Sequence, residues 1–172
     1  KLARNDVLNI DKGYFSSMTT FMLATMDSIS KCKIIEPIDI MNKMCTSLIL
    51  GKYTNNGKVY CLDNETINVL NYYIKKNNLD YDYNENDLNS YSLSRLIPLC
   101  LYNTKYEVKF EKLIQTIGLT TSNETVILGN YILFKYITNL LDGMDKYKAI
   151  KFDIPNIFKN KYIKEYKCSS SC

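Results

Sequence analysis

The stretch Tyr14–Ile29, YFSSMTTFMLATMDSI, decides the fold class. Met18, Phe21, Met22, Met26 and Ile29 recur at separations of three and four residues, which places apolar side chains on one stripe of an α-helix. Ser16 or Ser17 stands where an N-cap is expected, because a serine there can accept a backbone N–H bond from the first turn. The spacing predicts a central core helix with Met18 among its buried contacts.

Working outward, most of the chain repeats the helical period. Pro37 opens a second helix that runs to Leu50, with Met41, Met44, Cys45 and Leu48 facing inward and Gly51 as its stop. Asp63 is expected to cap a third helix through about Lys76, burying Ile67, Leu70 and Ile74. Ser92–Tyr102 predicts a short helix interrupted by Pro98, and Tyr106–Ile117 another closed by Gly118. A long helix is expected over 122–141, with Ile127, Tyr131, Phe134, Ile137 and Leu141 on one stripe. Gly129 inside it costs about 1 kcal/mol relative to alanine, which predicts a close helix crossing at that point.

Two segments break the period. Residues 52–60 carry an Asn56-Gly57 turn between short β-prone flanks and read as a small hairpin or loop. Residues 77–89, NNLDYDYNENDLN, read as an acidic, asparagine-rich, mobile surface loop. Their acids lack the spacing and glycine of a calcium-binding loop. The expectation is an all-α orthogonal helical bundle forming a single domain over 1–172.

Composition narrows the chemistry. A chain of 172 residues can bury about 70% of the surface its unfolded form exposes, so one domain needs no staples. Hydrophobic residues make up 46%, yet no apolar run is long enough to span a bilayer, and a soluble protein without membrane contact is expected. Lysine, asparagine, isoleucine and tyrosine are abundant, the bias of an A+T-rich genome. Histidine is absent, which excludes Ser-His-Asp and Cys-His catalysis and any histidine-ligated zinc. Cys45 and Cys100 sit on apolar helical faces and read as small core residues. Cys168 and Cys172 flank three serines, and a zinc site would need two more thiolates, so 168–172 reads as a frayed, reduced tail. The Asn64 and Asn123 sequons read as helix caps, and with no visible signal peptide a cytoplasmic location is expected.

The order of residue types from Thr19 to Ile29, TTFMLATMDSI, resembles the helix that follows the metal-binding Asp-Asp-Thr of ADP-ribosylglycohydrolases, worded D-D-T-S-M-x-L-A-L-A-x-S-L. Thr19, Leu23, Ala24 and Ser28 are identical to that pattern. Asp39-Ile40-Met41, then Gly51-Lys52-Tyr53-Thr54 and Gly57-Lys58-Val59-Tyr60, is similar to the family's D-I-M…G-x-Y-S/T-x-x-G-x-x-F-D-I-G segment. Ser92–Leu99 is similar to its N-G-S-L-M-R-I-A-P-L, and Leu119-Thr120-Thr121 to its L-T-H. The resemblance spans about 14–149.

That resemblance implies a Mg²⁺-dependent hydrolase, and the residues that would carry the chemistry are exchanged. The paired aspartates fall on Ser17 and Met18, ahead of Thr19; the Phe-Asp-Ile-Gly aspartate falls on Cys61; the Asn-Gly pair falls on Ser90 and Tyr91; and the histidine falls on Thr121. A hard cation needs several oxygen ligands, preferably anionic, and a thioether is a soft ligand. No Mg²⁺ or other cofactor is therefore expected. The family's glycine-rich first helix and its closing D-x-D-T helix have no counterpart among these residues.

Residues 146–167 change the composition again. Lys146, Lys148, Lys151, Lys159, Lys161, Lys164 and Lys167 stand against Asp153 and Glu165, with Tyr147, Phe152, Phe158, Tyr162 and Tyr166 interleaved. Ile154, Phe158, Tyr162 and Tyr166 repeat every four residues, as a last docking helix would. Lysines that track phosphates beside stacking aromatics would equally suit RNA. Three readings of function follow: an inactive relative of the family kept as a binding or structural module, a ribosome- or ribonucleoprotein-bound factor using 146–167, and an active hydrolase in which acids such as Asp27 or Asp63 converge.

Overall fold

The computed structural model describes residues 11–155, and it is all-helical over them. Helix α1 (Ser17–Cys32) begins after Ser16 as expected, although the Ser16 hydroxyl makes no capping bond. Its carbonyl instead accepts from the Thr19 and Thr20 amides at 3.1 and 3.2 Å. The buried face of α1 is Ser17, Thr20, Phe21, Ala24, Thr25 and Ser28. This corrects the methionine stripe: Met18 and Met22 are half-buried, and Met26 is 42% exposed. Small side chains let α1 lie close against α2 (Pro37–Leu50), its most extensive neighbour. Their hydroxyls need no outside partner, since Thr25 donates to the Phe21 carbonyl of its own helix at 2.8 Å.

Gly51 ends α2 in the left-handed region at φ +65, its amide donating to the Ser47 carbonyl. Residues 52–60 form a loop with no strand. The loop is pinched shut, because a Cβ on Gly51 would lie 2.4 Å from the Gly57 Cα. Thr54 holds the pinch by donating to the Gly51 carbonyl and accepting from the Gly57 amide.

Helix α3 (Asn64–Lys76) is capped by Asp63, whose Oδ1 accepts from the Thr66 amide at 2.8 Å; Asn64 is the first helical residue, and the cap precedes it. It buries Thr66, Val69, Leu70 and Tyr73, while Ile67 is half-buried and Ile74 exposed. Tyr73 turns the helix that way by donating to Asn42 on α2. The 77–89 segment has no regular structure, but it is strapped down. Leu79, Tyr81 and Tyr83 pack on the core while Asp80 and Asp82 face outward. The Tyr83 hydroxyl donates to the Leu119 carbonyl at 3.3 Å.

A 3₁₀ turn (Tyr91–Arg95) runs into α4 (Leu96–Asn103). Pro98 lies in the first turn of α4, where a proline is tolerated, and does not interrupt it. Helix α5 (Phe110–Ile117) starts later than expected, and Gly118 carries the chain on into a second 3₁₀ turn (Gly118–Thr120) at negative φ. Helix α6 (Glu124–Leu141) is capped by Asn123, which accepts from the Val126 amide at 3.1 Å. Its buried residues are Val126, Leu128, Asn130, Tyr131, Phe134 and Thr138; Ile127 and Ile137 are half-buried and Leu141 is exposed. A Cβ on Gly129 would meet nothing within 4 Å, so no helix crosses closely there. Of the expected last helix, the described residues contain one turn, α7 (Lys146–Ala149), anchored by buried Ala149, whose carbonyl accepts from Asn139. Residues 156–167 and 168–172 lie outside the described residues. The core gathers Phe21, Ala24, Ile40, Met44, Leu70, Leu99 and Ile117, with Cys45 and Cys100 buried beside them. Among the described residues no helix is long and apolar enough to cross a membrane.

Candidate functional site

The start of α1 is where the expected site residues meet. The Ser17 amide donates to the Tyr60 carbonyl at 2.8 Å, and the Ser17 hydroxyl donates to the Cys61 carbonyl at 3.0 Å. The Tyr91 hydroxyl donates to that same carbonyl. Ser17, Cys61 and Tyr91, far apart in sequence, therefore share one oxygen. Cys61 joins through its main chain, held in the left-handed region at φ +57. Met18 and Thr19 are half-buried beside this joint. Thr121 takes a separate place, its Oγ1 accepting from the Asn123 amide at 3.1 Å.

These groups do not fit a Mg²⁺ ion. The hydroxyl of Ser17 is turned to donate, both donors converge on the one carbonyl, and the neighbouring side chain is a thioether. Asp63 lies nearby in sequence, with Oδ1 engaged at the α3 cap and Oδ2 buried without a hydrogen-bond partner. Asp27, the other acid considered, stands about 15 Å further along α1, given 1.5 Å of rise per helical residue. The two do not form a pair.

The far end of α1 holds a charged cluster. Asp27 accepts from the Tyr53 hydroxyl at 2.7 Å, from Lys31 at 2.9 Å and from Lys43 at 2.9 Å. Asp39 accepts from the Ser28 hydroxyl at 2.6 Å and lies 3.7 Å from Lys43. Tyr53, Lys31 and Lys43 together hold the Asp27 carboxyl well below the usual carboxylate range. Burial and the bond to Asp27 push the Tyr53 hydroxyl up to about 12. Desolvation works against the charge on Lys43, yet Asp27 and Asp39 hold its pKa above the ordinary lysine value. Cys32 is exposed and donates weakly to Asp39, and partial desolvation of its sulfur followed by the Asp39 charge raises its pKa. All three groups around Asp27 serve to keep it ionised, which suits cross-linking α1, α2 and the 52–60 loop more than proton transfer.

Arg95 is fully buried, and among the described residues no carboxylate pairs with it. Its Nε donates to the Thr116 carbonyl at 2.9 Å, and its Nη2 to the Ile117 carbonyl at 2.8 Å and the Thr120 hydroxyl at 2.9 Å. Desolvation lowers its pKa to about 10, so it remains charged at neutral pH. The carbonyls are those of the last turn of α5, the negative end of that helix's dipole.

Lys146, Lys148 and Lys151 are exposed, and the Lys146 ammonium stands 5.0 Å from the ring of exposed Tyr147. Lys159, Lys161, Lys164, Lys167, Tyr162 and Tyr166 lie outside the described residues. Sequence reading missed the Asp27–Lys43–Tyr53 cluster and the Arg95 centre. Lys31 four residues after Asp27 was a visible signal for the first, and the rarity of arginine, two against twenty lysines in the chain, was one for the second. Comparison of the chain with family models and with curated proteins finds no match.

Proposed function

We propose that this chain is a non-catalytic relative of the ADP-ribosylglycohydrolases, an orthogonal bundle of that kind kept as a binding or structural module. The observation that carries the reading is the shared Cys61 carbonyl. Two side chains, Ser17 at a position where the resemblance has a metal-binding aspartate and Tyr91 at one where it has the Asn-Gly pair, both donate to it. A place that would coordinate an ion serves instead as a joint between α1, the 52–60 loop and the 3₁₀ turn ahead of α4. Incubation of the full chain with an ADP-ribosylated peptide and Mg²⁺ is expected to release no ADP-ribose above the blank. Mg²⁺-dependent release that is lost in Asp27→Asn or Asp63→Asn would overturn the reading and favour a hydrolase with rearranged ligands.

A second reading is favoured by the exposed Lys146, Lys148, Lys151 and Tyr147. In it the 146–167 segment contacts RNA within a ribonucleoprotein such as the ribosome. Binding should weaken with salt at a log-log slope of roughly −0.7 to −0.9 per phosphate contacted. Replacing Lys146, Lys148 and Lys151, or Lys159, Lys161 and Lys164, with glutamine should flatten that slope. A slope and affinity unchanged in both variants would remove this reading.

A further inference from the structure

A groove of about 360 Å³ runs between the 88–93 segment and α6, lined by Leu88, Leu93, Val126, Gly129, Asn130 and Leu133. Leu88 is 68% exposed at its edge. Gly129 forms part of its wall in mid-helix, where glycine costs about 1 kcal/mol and where neither a positive φ nor a neighbouring atom requires it. The groove therefore leaves the α6 backbone open to close approach from outside. Behind the wall, the Asn130 amide nitrogen donates to Ser92 and Val126 while its Oδ1 is buried without a hydrogen-bond partner.

Charge says what the groove would accept. The lining is uncharged, and the residues just outside it in sequence, 85–87 and 122–124, contribute Glu85, Asp87 and Glu124, in a chain of net charge +4. Asn123 donates to the Glu85 carbonyl, which ties residue 85 to the start of α6, next to Glu124 and to Thr125 and Val126 of the lining. An apolar floor with acids close to one end disfavours nucleic acid and favours a cationic amphipathic chain. We infer that this groove receives a lysine-rich amphipathic segment of a partner polypeptide, its apolar side chains seated on Leu88, Leu93 and Gly129 and its lysines facing the acids. The inference does not rest on the relationship proposed above.

The test titrates the full chain with a synthetic helical peptide of leucine and lysine, leucines at i, i+3, i+4 and i+7, and with its glutamate-for-lysine counterpart. The lysine peptide is expected to bind at least about tenfold more tightly at low salt, with the gap narrowing as salt rises. Gly129→Leu, which fills the groove without meeting a neighbour, and Leu88→Lys should each weaken it by about tenfold or more. Thermal unfolding of Gly129→Leu should be no lower than that of the parent, which separates a filled groove from a damaged fold. Equal binding of the two peptides, or binding unchanged in both variants, would overturn the inference. So would lysine-peptide binding that appears only when Lys159, Lys161 and Lys164 are changed to glutamate, which would assign the groove to the chain's own segment. A concentration-dependent doubling of mass abolished by Leu88→Lys would assign it to a second copy and overturn it as well.

Discussion

Arg95 and Lys43 are both cations at α2, Lys43 carried by that helix and Arg95 packed against it, and they are held by opposite means. Lys43 lies between two carboxylates at the protein's edge, its side chain 14% exposed. Arg95 touches α2 from the inside, its Nη1 4.0 Å from the Met44 sulfur, and each acceptor it donates to among the described residues is neutral. The Lys43 cluster is an ordinary charge balance that water and salt can screen. The Arg95 centre binds a charge to backbone carbonyls, so it depends on the second half of α5 being folded and in place. A carbonyl cannot be exchanged by mutation as a carboxylate can, which makes Arg95 the side that can be changed and α5 the side that records the change.

The largest effect is expected from Arg95→Met, which leaves the Thr116 and Ile117 carbonyls buried and without that donor. It should lower unfolding free energy by about 2 to 4 kcal/mol, equally at low and high salt. Arg95→Lys should lose a good part of the same amount, since one ammonium cannot reproduce the fork that spans two carbonyls and a hydroxyl. Urea unfolding of both variants checks this, and an unaffected Arg95→Met protein would show that the α5 end needs no cation.

A smaller, pH-dependent effect is expected at Asp27. Its folded pKa is depressed, so its contribution is present above the unfolded value near about 4 and is lost as pH falls toward the folded one. The stability gap between the parent and Asp27→Asn should therefore be constant across neutral pH and shrink below about pH 4. A gap that persists into acid would mean that Asp27 acts through shape and not through charge. The smallest effect belongs to Lys31→Ala: that lysine is 66% exposed, and an i,i+4 pair of this kind contributes about 0.3 to 0.5 kcal/mol. Even that should vanish in high salt.

Legibility in the sequence followed the same division. The helices were readable because their caps are chemical signatures: Asp63, Asn123, Pro37 and Gly51 act as their residue types predict. Which face of each helix is buried was less readable. In α1 the eye goes to methionines, but Ser17, Thr20, Ala24, Thr25 and Ser28 face inward, because small residues bring backbones close and hydroxyls can bond within their own helix. The Leu79, Tyr81, Tyr83 alternation in the 77–89 segment was hidden by the asparagines and acids around it. The resemblance grouped Ser17, Cys61 and Tyr91, but the bonds that join them could not be read, since they run through a main-chain oxygen that every residue has.

The contact between Gly51 and Gly57 has a consequence for how this protein can diverge. At Gly51 the backbone is left-handed, and the space a side chain would need is already taken by the Gly57 main chain. Gly57 has open space at its own Cβ and only its φ to satisfy. Substitution at position 51 would push the loop outward, and Tyr53, itself held at φ +61, would move with it and leave Asp27. Drift at the mouth of this loop is thus one-sided: position 57 can sample asparagine or aspartate at modest strain, whereas position 51 is closed to every other residue for as long as the tyrosine keeps its grip on the helix.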